Sequence, residues 1–412
     1  MTGKTVLILG GGIGGLVTAN RLRQHLPHQH RIVLIEKNDR NDFAPSFLWL
    51  MTGDRRPEQI TRPLRQMVRR GVEVVQAQVR RIDPDKGYVE ADGQSLAYDY
   101  LVVALGAELV PEAIPGLVEA AHTFYTLEGT LKLRDALKDF TDGTVAVVVS
   151  AIPYKCPGAP HEAAMLMSDF FKRRGLGDKV DVHLFTPEPQ PMPVAGPALG
   201  EAVKQMLTAK RVSFHPKHKL TSVNPQSQKL AFDGKEPFHY DLLAAIPPHR
   251  GPQLLREAGL ANEAGWVPVD RATLQTKYKN VYALGDVTAL PIPGRWKPDV
   301  PMMLPKAGVF AHGEAETVAR RIADEIGGTV TQAQFDGMGY CWIETGGGSA
   351  GFASGEFYAE PDPVVPLPRS GRLWHWGKVL FEQYWLGEGI VREASRLGLN
   401  LGSRLFGFSA SL

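Results

Sequence analysis

The chain has 412 residues, with 46 lysine or arginine and 44 aspartate or glutamate residues, which leaves a formal net charge of +2. This length is typical of two or three domains with a large core, and the near balance of charges gives no general signal for nucleic-acid binding. The 2 cysteines are too few for a disulfide scaffold, and no residue spacing resembles a zinc site, so we expect no bound metal.

The N-terminus leads almost directly into a predicted strand at residues 5–9, without the basic, apolar and small-residue regions of a signal peptide. No apolar stretch approaches the roughly 18 residues that a membrane-spanning helix needs. We therefore expect synthesis in the cytoplasm, and attachment to a membrane surface stays open at this point.

A dinucleotide-binding motif follows the first predicted strand. It has the pattern G-x-G-x-x-G, with glycines at Gly10, Gly12 and Gly15, and a predicted helix comes directly after it. Such glycines permit the tight turn, the close approach of backbone to a pyrophosphate and the close packing of helix on strand. The next predicted strand ends in Glu36, an acidic residue suited to a ribose 2′-hydroxyl. In this strand–turn–helix context the motif predicts a bound dinucleotide.

Two later segments decide which dinucleotide we expect. Residues 100–107 are predicted to form a buried strand that ends in a tight turn at Gly106, and residues 280–287 form a second strand that ends in Gly285 and Asp286. Both are similar to the return segments of the FAD/NAD-linked disulfide-reductase superfamily. The resemblance implies FAD as the cofactor, with Gly285 and Asp286 at its ribityl and pyrophosphate portion. A helix N-cap is the alternative role for Asp286.

The order of the predicted elements indicates an α/β protein with two tandem Rossmann-like domains and a C-terminal domain with amphipathic helices. We expect the FAD-binding domain to be split between residues 1–112 and 250–330. A second Rossmann-like domain, residues 113–249, lies between these segments, and the C-terminal domain covers residues 331–412.

The turn of the second Rossmann-like unit lacks the glycine pattern. After a predicted buried strand at residues 144–149 the chain reads S-A-I-P-Y-K-C-P-G-A-P-H-E, and we expect a helix to start near Glu162. A pyridine nucleotide needs small residues and free backbone N–H groups at such a turn. Pro153 and Pro157 each remove an N–H, and Tyr154 is bulky. We therefore do not expect NAD(P)H to be the electron donor.

Each cysteine is either a reactive thiol or an inert buried one. Cys156 lies in this turn beside Lys155 and near the start of a helix, where the helix dipole lowers the pKa of a thiol. Cys341 lies far downstream in the segment G-Y-C-W. Taken alone, two distant cysteines in a cytosolic protein are mostly inert buried thiols.

The segments around the cysteines resemble the sulfide:quinone oxidoreductases, which belong to the same superfamily. The resemblance runs nearly from end to end of the chain and rests on four segments: A-I-P-x-x-C-P-G-A-P-x-E at residues 151–162, P-x-x-x-P-K-A-G at residues 301–308, G-Y-C at residues 339–341 and K-V-L-F-E-Q-Y-W-L at residues 378–386. It implies that Cys156 and Cys341 form a redox-active disulfide or polysulfide bridge beside the flavin. Sulfide would be oxidised there to polysulfide or sulfur, and the electrons would pass through FAD to a membrane quinone.

The resemblance also implies roles for single residues. Cys341 is the expected flavin-proximal thiol and Cys156 the partner on which sulfur accumulates, although the sequence alone leaves this division open. Glu162 is the candidate acid/base near the sulfurs, with a charge in the first turn of a helix as the alternative. Lys306 would place positive charge near the flavin N1–C2 carbonyl region and stabilise the anionic reduced flavin. The alternative for Lys306 is a solvated side chain.

The chain departs from many family members in three places. Tyr125 and Gly129 stand where those members have a third cysteine and a histidine, and a second family histidine expected near residues 192–194 is missing. The chain therefore resembles the two-cysteine subtypes. The missing histidines leave proton delivery at the quinone site, and the identity of the acceptor, open. His161 and His249 remain, but single histidines are usually structural or on the surface.

The C-terminal domain carries two apolar stripes at helical spacing. The first comprises Leu373, Trp376, Leu380, Phe381 and Tyr384, and the second comprises Ile390, Ala394, Leu397, Leu401, Leu405 and Phe408, with Arg392, Arg396 and Arg404 off the stripe. Such helices suit a membrane interface, where a quinone would be met. The alternative is that they pack on the FAD-binding domain or on a second subunit. We expect a peripheral (monotopic) membrane protein, cytoplasmic if the tail does not bind membrane, and leave homo-oligomerisation open.

Three other functions stay in view. They are a type II NADH:quinone oxidoreductase, the flavoprotein subunit of a cytochrome-linked sulfide dehydrogenase, and a non-catalytic flavin-binding interaction protein. The missing second glycine turn disfavours the first, and the absent export signal disfavours the second. An interaction protein has no need of a thiol pair at the flavin.

Overall fold

The computed structural model describes residues 3–296, 302–367 and 370–406 of the chain. Pro301 and Phe408, which the sequence analysis names, lie outside these ranges. The helices in chain order are α1 Ile13–His25, α2 Phe47–Met51, α3 Pro57–Ile60, α4 Leu64–Met67, α5 Leu117–Ala120, α6 Leu127–Asp139, α7 Ala159–Arg173, α8 Pro197–Ala209, α9 Gln253–Glu257, α10 Gly308–Ile326, α11 Arg372–Leu386 and α12 Gly389–Phe406.

The strands lie between these helices and fall into parallel and antiparallel groups. In chain order they are β1 Thr5–Leu9, β2 Arg31–Glu36, β3 Arg40–Asp42, β4 Thr61–Pro63, β5 Glu73–Gln76, β6 Val79–Asp83, β7 Tyr88–Ala91, β8 Gln94–Ala97, β9 Tyr100–Val103, β10 Glu108–Leu109, β11 Gly143–Val149, β12 Val180–Phe185, β13 Val212–His215, β14 Leu220–Asn224, β15 Lys229–Phe232, β16 Phe238–His239, β17 Leu242–Ile246, β18 His249–Arg250, β19 Val267–Pro268, β20 Val281–Ala283, β21 Thr288–Ala289, β22 Met338–Gly346 and β23 Ser349–Glu356.

The first parallel sheet has the strand order β20-β9-β1-β2-β5. The central strands β1 and β9 are buried except for their first residues, whose burial is intermediate. Such burial is expected for a parallel sheet that is covered on both faces. Helices α1 and α10 pack against each other on one face, and the antiparallel strands β6–β8 with α9 cover the other. Since β20 follows the second sheet in sequence, this sheet is assembled from two separate segments.

The second parallel sheet repeats the plan in the order β13-β12-β11-β17. Helix α7 packs against its β11 and β12 strands, and the antiparallel strands β14–β16 cover the opposite face. The repeat confirms the predicted α/β class with two tandem Rossmann-like units. The helix after Cys156 begins at Ala159, earlier than the start near Glu162 that we expected, because Pro160 is accommodated in the first turn, where its missing N–H needs no partner.

The C-terminal part brings distant segments to the second sheet. Strands β22 and β23 form an antiparallel hairpin in which Cys341 lies opposite Ala353, and β22 packs against α7. Helix α11 packs on this hairpin and on α12. Consequently Cys341, carried by the hairpin, and the turn before α7 that contains Cys156 are neighbours in space.

The two predicted apolar stripes have different surroundings. The stripe of α11 is exposed at its start, at Leu373 and Trp376, and buried at its end, at Tyr384. The part of the α12 stripe whose burial the structure describes faces outward: Ile390, Leu397 and Leu401 are 88%, 65% and 61% exposed, and Ala394 is exposed as well. The alternative prediction, that this stripe packs on the FAD-binding domain, is therefore wrong for these four residues. In the described ranges, no helix is long and apolar enough to cross a membrane.

Candidate active site

The glycine turn after β1 leaves the space that a bound dinucleotide requires. Gly10 has a φ of 101°, and a Cβ there would clash with the carbonyl oxygen of Ala104. A Cβ on Gly15 would clash with the carbonyl oxygen of Gly10, so both positions require glycine. A Cβ on Gly12 would meet nothing within 4 Å. This open space at the N-terminus of α1 fits a pyrophosphate.

Glu36, at the end of β2, lies against the same turn. Its Oε2 accepts a hydrogen bond of 2.7 Å from the backbone N–H of Gly11, and its Oε1 accepts hydrogen bonds of 2.9 Å from the backbone and side-chain nitrogens of Asn38. The side chain is only partly buried, so a ribose hydroxyl can reach it. This arrangement fits the predicted contact with a ribose hydroxyl.

The two return segments end in glycine turns, and the turn at Gly106 leaves room for a cofactor. Gly106 and Gly285 have φ values of 69° and 75°, and a Cβ on Gly106 would meet nothing within 4 Å. Asp286 lies in a 3-10 turn at Gly285–Val287, whereas α10 begins only at Gly308. The alternative of Asp286 as the N-cap of that helix is therefore wrong. Burial raises the pKa of its carboxyl group, and two nearby lysines oppose the rise.

Lys306 lies between the return segment that ends in Asp286 and the cavity that the two cysteines line. Its Nζ donates hydrogen bonds of 2.8 Å to the backbone carbonyl oxygens of Asp286 and Thr288, and it lies 3.7 Å from the centroid of the Trp266 ring. The alternative of a solvated side chain is wrong. Burial lowers the pKa of Lys306 to about 8. At neutral pH the amino group is therefore still protonated in most molecules.

The two thiols line one cavity of about 810 Å³, to which Lys306, Phe310 and Tyr340 also contribute. Cys156 has a φ of 59°, and its backbone N–H donates to the carbonyl oxygen of Lys306 at 2.6 Å. A Cβ on Gly158 would lie 3.3 Å from Sγ of Cys341, so the glycine after Pro157 lets the hairpin approach the turn. Both cysteines are free thiols in this structure.

The expectation of a lowered thiol pKa at Cys156 is wrong for this reduced state. Burial, reinforced by the carboxylate of Glu162, raises the pKa of Cys156 to about 12, and Lys378 and the backbone N–H of Ala159 oppose the rise. Burial also raises the pKa of Cys341 well above its ordinary value. The local sequence showed the helix start and Lys155 but not the depth of burial. Both thiols are therefore protonated at neutral pH.

A buried ion pair lies beside the thiols. Oε2 of Glu162, in the first turn of α7, accepts hydrogen bonds from Nζ of Lys378 at 2.6 Å and from the backbone N–H of Glu344 at 3.0 Å. Both partners of the ion pair are buried. Burial raises the pKa of Glu162 and Lys378 opposes the rise. Burial likewise disfavours the charge of Lys378, but the carboxylates of Glu162 and Glu344 outweigh it and raise its pKa.

Lys378 reaches this position because α11 is anchored by further polar contacts. On the same helix, Glu382 accepts a hydrogen bond from Ser46 at 2.6 Å and pairs with Arg55 at 2.8 Å. His375 lies 3.0 Å from Glu344 through its Nδ1. The sequence analysis quoted the segment that contains Lys378 but gave this lysine no role. A lysine and a glutamate four residues apart in an aromatic, largely apolar helix were the available signal.

The positions where family residues are missing have other occupants. The hydroxyl of Tyr125 donates to the carbonyl oxygen of Lys155 at 2.7 Å, and residues 192–194 line the cavity without a titratable side chain. Burial lowers the pKa of His161 and of His249 to about 4. These two imidazoles are therefore neutral at physiological pH.

Fold and site together define a flavoprotein oxidoreductase in which the turn of the second Rossmann-like unit carries Cys156 in place of a nucleotide-binding glycine pattern, and the C-terminal hairpin brings Cys341 next to it. A family model described as "Pyridine nucleotide-disulphide oxidoreductase" matches residues 4–311. The chain is 30% identical over 401 residues to the sulfide-quinone reductase of Aquifex aeolicus, covering 93% of this chain and 90% of that protein. It is 27% identical over 426 residues to the mitochondrial sulfide:quinone oxidoreductase of Mus musculus, covering 96% and 90%.

A solved structure agrees with these sequence matches. The X-ray structure of the sulfide:quinone oxidoreductase from Aquifex aeolicus superimposes with a TM-score of 0.83 at 27% identity, covering 92% of this chain and 90% of that one. The chain belongs to the pyridine nucleotide-disulphide oxidoreductase family, and within it to the sulfide:quinone oxidoreductases. The predicted family, enzyme class and FAD cofactor are thereby confirmed.

Proposed function

We propose that this chain oxidises sulfide to polysulfide or sulfur at Cys156 and Cys341, and that the electrons reach a membrane quinone by way of FAD. One observation carries the proposal: both thiols line one cavity with Lys306, which is bonded to the backbone of Asp286. The sulfur chemistry and the FAD-binding segment thus meet in one place. FAD, when bound, supplies a two-electron carrier between the sulfur and quinone sides.

The sulfur step follows from thiol–disulfide exchange. In the oxidised enzyme, Cys156 and Cys341 are joined by a disulfide or polysulfide bridge. Where the bridge is a disulfide, hydrosulfide attacks the sulfur of Cys156, the S–S bond breaks, and Cys341 leaves as a thiolate. Cys156 then carries a persulfide. Closing the bridge again through the added sulfur removes two electrons and one proton, and the sulfur chain is one atom longer.

Glu162 is the proposed acceptor of that proton. Its Oε1 would lie 3.6 Å from a Cβ placed on Gly158, the same point that is 3.3 Å from Sγ of Cys341. Burial raises the pKa of this carboxyl group, and Lys378 opposes the rise by favouring the ionised form. The ionised form can receive a proton. Lys306 holds positive charge at the FAD-binding segment, which favours the reduced, anionic state of the cofactor.

The exposed stripe on α12 is the proposed point of contact with a membrane, where the quinone is dissolved. Large apolar side chains that remain exposed on an amphipathic helix, flanked by Arg392 and Arg396, suit the headgroup–acyl boundary. Contact with a second subunit is the competing explanation for this stripe.

Anaerobic titration of the FAD-loaded protein with sulfide tests the proposal. Sulfide should bleach the flavin in the wild type, whereas Cys156→Ser and Cys341→Ser should not be bleached. A water-soluble quinone analogue should restore the oxidised spectrum. Addition of NADH to the same sample is the control for the type II NADH:quinone oxidoreductase alternative. Wild-type protein that NADH bleaches quickly and sulfide does not would overturn the proposal.

A further inference from the structure

A second buried carboxyl group, that of Glu188, belongs to the wall of the thiol cavity. Glu188 follows β12 and is one of the residues that line the cavity, together with Tyr154 and Cys156. Among the described residues of that lining it is the only aspartate or glutamate, and no histidine is present. Glu162, by contrast, does not belong to the lining.

The hydrogen bonds of Glu188 leave one oxygen available. The hydroxyl of Tyr154 donates to its Oε2 at 2.8 Å, and the hydroxyl of Thr186 donates to the same oxygen at 3.2 Å. Oε1 accepts no hydrogen bond from any described residue. Hydrogen bonds to one oxygen orient this carboxylate in the wall of the cavity. The other oxygen can then take a proton from a molecule inside the cavity.

The chemistry of the cavity creates a need for such a group. Its lining is largely apolar and includes Met192, Trp296 and Met302. An anion pays a desolvation cost on entering such a space, whereas neutral hydrogen sulfide does not. Hydrogen sulfide is a poor nucleophile until it loses a proton, and both cysteine thiols are themselves protonated in the reduced state. A base inside the cavity solves this problem.

We propose that Glu188 is the general base that deprotonates hydrogen sulfide inside the cavity, next to Cys156. This inference rests on the proposed function and adds the residue that activates its substrate. Hydrogen sulfide gives its proton to Oε1 of Glu188, and the resulting hydrosulfide attacks the sulfur of Cys156. No electrons move in the proton transfer. The proton then leaves Glu188 for solvent at the mouth of the cavity, where Ile152 and Met303 are exposed.

The electrostatic surroundings of Glu188 agree with this role. Burial raises its pKa to about 7, while the hydrogen bonds from Tyr154 and Thr186 lower it. Tyr154, from the cysteine turn, and Tyr125 are titratable groups near it. Burial raises the pKa of both tyrosines, and the charge of Glu188 adds to the rise. Lys306 lines the same cavity. A carboxyl group with a pKa near 7 exchanges protons readily at physiological pH.

The test is rapid anaerobic mixing of the FAD-loaded protein with sulfide, with the rate constant of flavin reduction measured across the neutral pH range. Glu188→Gln keeps the size of the side chain and an oxygen for Tyr154, but it removes the base, so the rate should fall by about 10²-fold at neutral pH. The deficit should narrow as pH rises, because hydrosulfide in bulk solution then replaces the missing step.

Tyr154→Phe separates catalysis from support of the fold. Loss of its hydrogen bond should raise the pKa of Glu188 and move the pH profile to higher pH, whereas Glu188→Gln should remove this inflection. Mass spectrometry of the alkylated Cys156 persulfide compares how fast the persulfide forms in these variants and in the wild type, independently of the flavin signal. Glu201→Gln, an exposed site on α8, should behave as the wild type.

Three results would overturn the inference. If Glu188→Gln has the rate and the pH profile of the wild type, while the wild type is reduced normally by sulfide, Glu188 is not the base and the proposed function stands. If sulfide fails to reduce the wild type, both the proposed function and this inference fall. Equal slowing of Glu188→Gln and Tyr154→Phe at every pH would indicate a purely structural role and would also overturn it.

Discussion

Nζ of Lys378 lies 2.6 Å from Oε2 of Glu162, and this contact joins helix α11 to the first turn of the helix that follows Cys156. The side chains of both residues are almost fully buried, at 8% and 3% exposure. Since burial disfavours each charge alone, the pair is stable only as a unit. The tail of the chain therefore contributes directly to the electrostatics around the thiols.

Lys378→Met should destabilise the protein strongly. It leaves Glu162 buried without its cation, and removing one partner of a buried ion pair costs about 3–5 kcal/mol. Urea unfolding monitored by circular dichroism measures the change. The double variant Glu162→Gln with Lys378→Met is the matched control, and it should recover part of the loss because no unpaired charge remains. If the double variant loses as much stability as the two single variants lose together, this account is contradicted.

Glu162→Gln should lower the pKa of both thiols in the reduced protein. The carboxylate of Glu162 raises the pKa of Cys156 and of Cys341, and Lys378 lowers them. Each unit of decrease gives roughly tenfold more thiolate at neutral pH. The rate of alkylation by iodoacetamide, followed by mass spectrometry at several pH values, reports this change. Lys378→Met should change the rate in the opposite direction, and equal rates in all three proteins would refute the assignment.

Local patterns predicted the elements that local physics determines. The glycine turn at Gly10, Gly12 and Gly15, the strands on either side and Glu36 at the end of β2 all appear where the sequence placed them, because a strand, a turn and a helix each depend on neighbouring residues. Their position in the chain needed no tertiary information.

The parts that the sequence did not predict depend on distant contacts. The raised pKa of Cys156 follows from burial under segments that lie far away in the chain, so the helix dipole and Lys155 pointed in the wrong direction. Lys378 meets Glu162 only because α11 folds back over the β22–β23 hairpin. In the sequence, nothing distinguishes Glu188 from the many glutamates that lie on protein surfaces, and only the folded structure shows that it lines the cavity.

The exposed stripe of α12 should bind membrane. Leu397→Glu combined with Leu401→Glu should reduce flotation of the protein with liposomes, because a charge replaces an apolar side chain at the headgroup–acyl boundary. Both residues are exposed, so thermal stability should change little. Val330→Glu changes a residue that is 82% exposed outside the tail helices and serves as the control. Unchanged flotation together with conversion of a dimer to a monomer would instead support packing on a second subunit.

Gly12→Val should abolish FAD binding and leave the protein folded. Gly12 has a φ of −74°, which a valine tolerates, and its Cβ would project into open space rather than into protein atoms. The side chain would fill the space that a pyrophosphate needs. Copurified FAD, measured by absorbance after denaturation, and the unfolding transition of the apo-protein give the two readings.

Gly15→Val is the matched comparison for this variant. A Cβ at Gly15 would clash with the carbonyl oxygen of Gly10, so helix α1 cannot keep its place against β1. This second variant should lose stability as well as FAD, whereas Gly12→Val should keep the stability of the wild-type apo-protein. If Gly12→Val retains a full complement of FAD, the cofactor does not approach the turn at this glycine, and the placement of its pyrophosphate beside α1 is wrong.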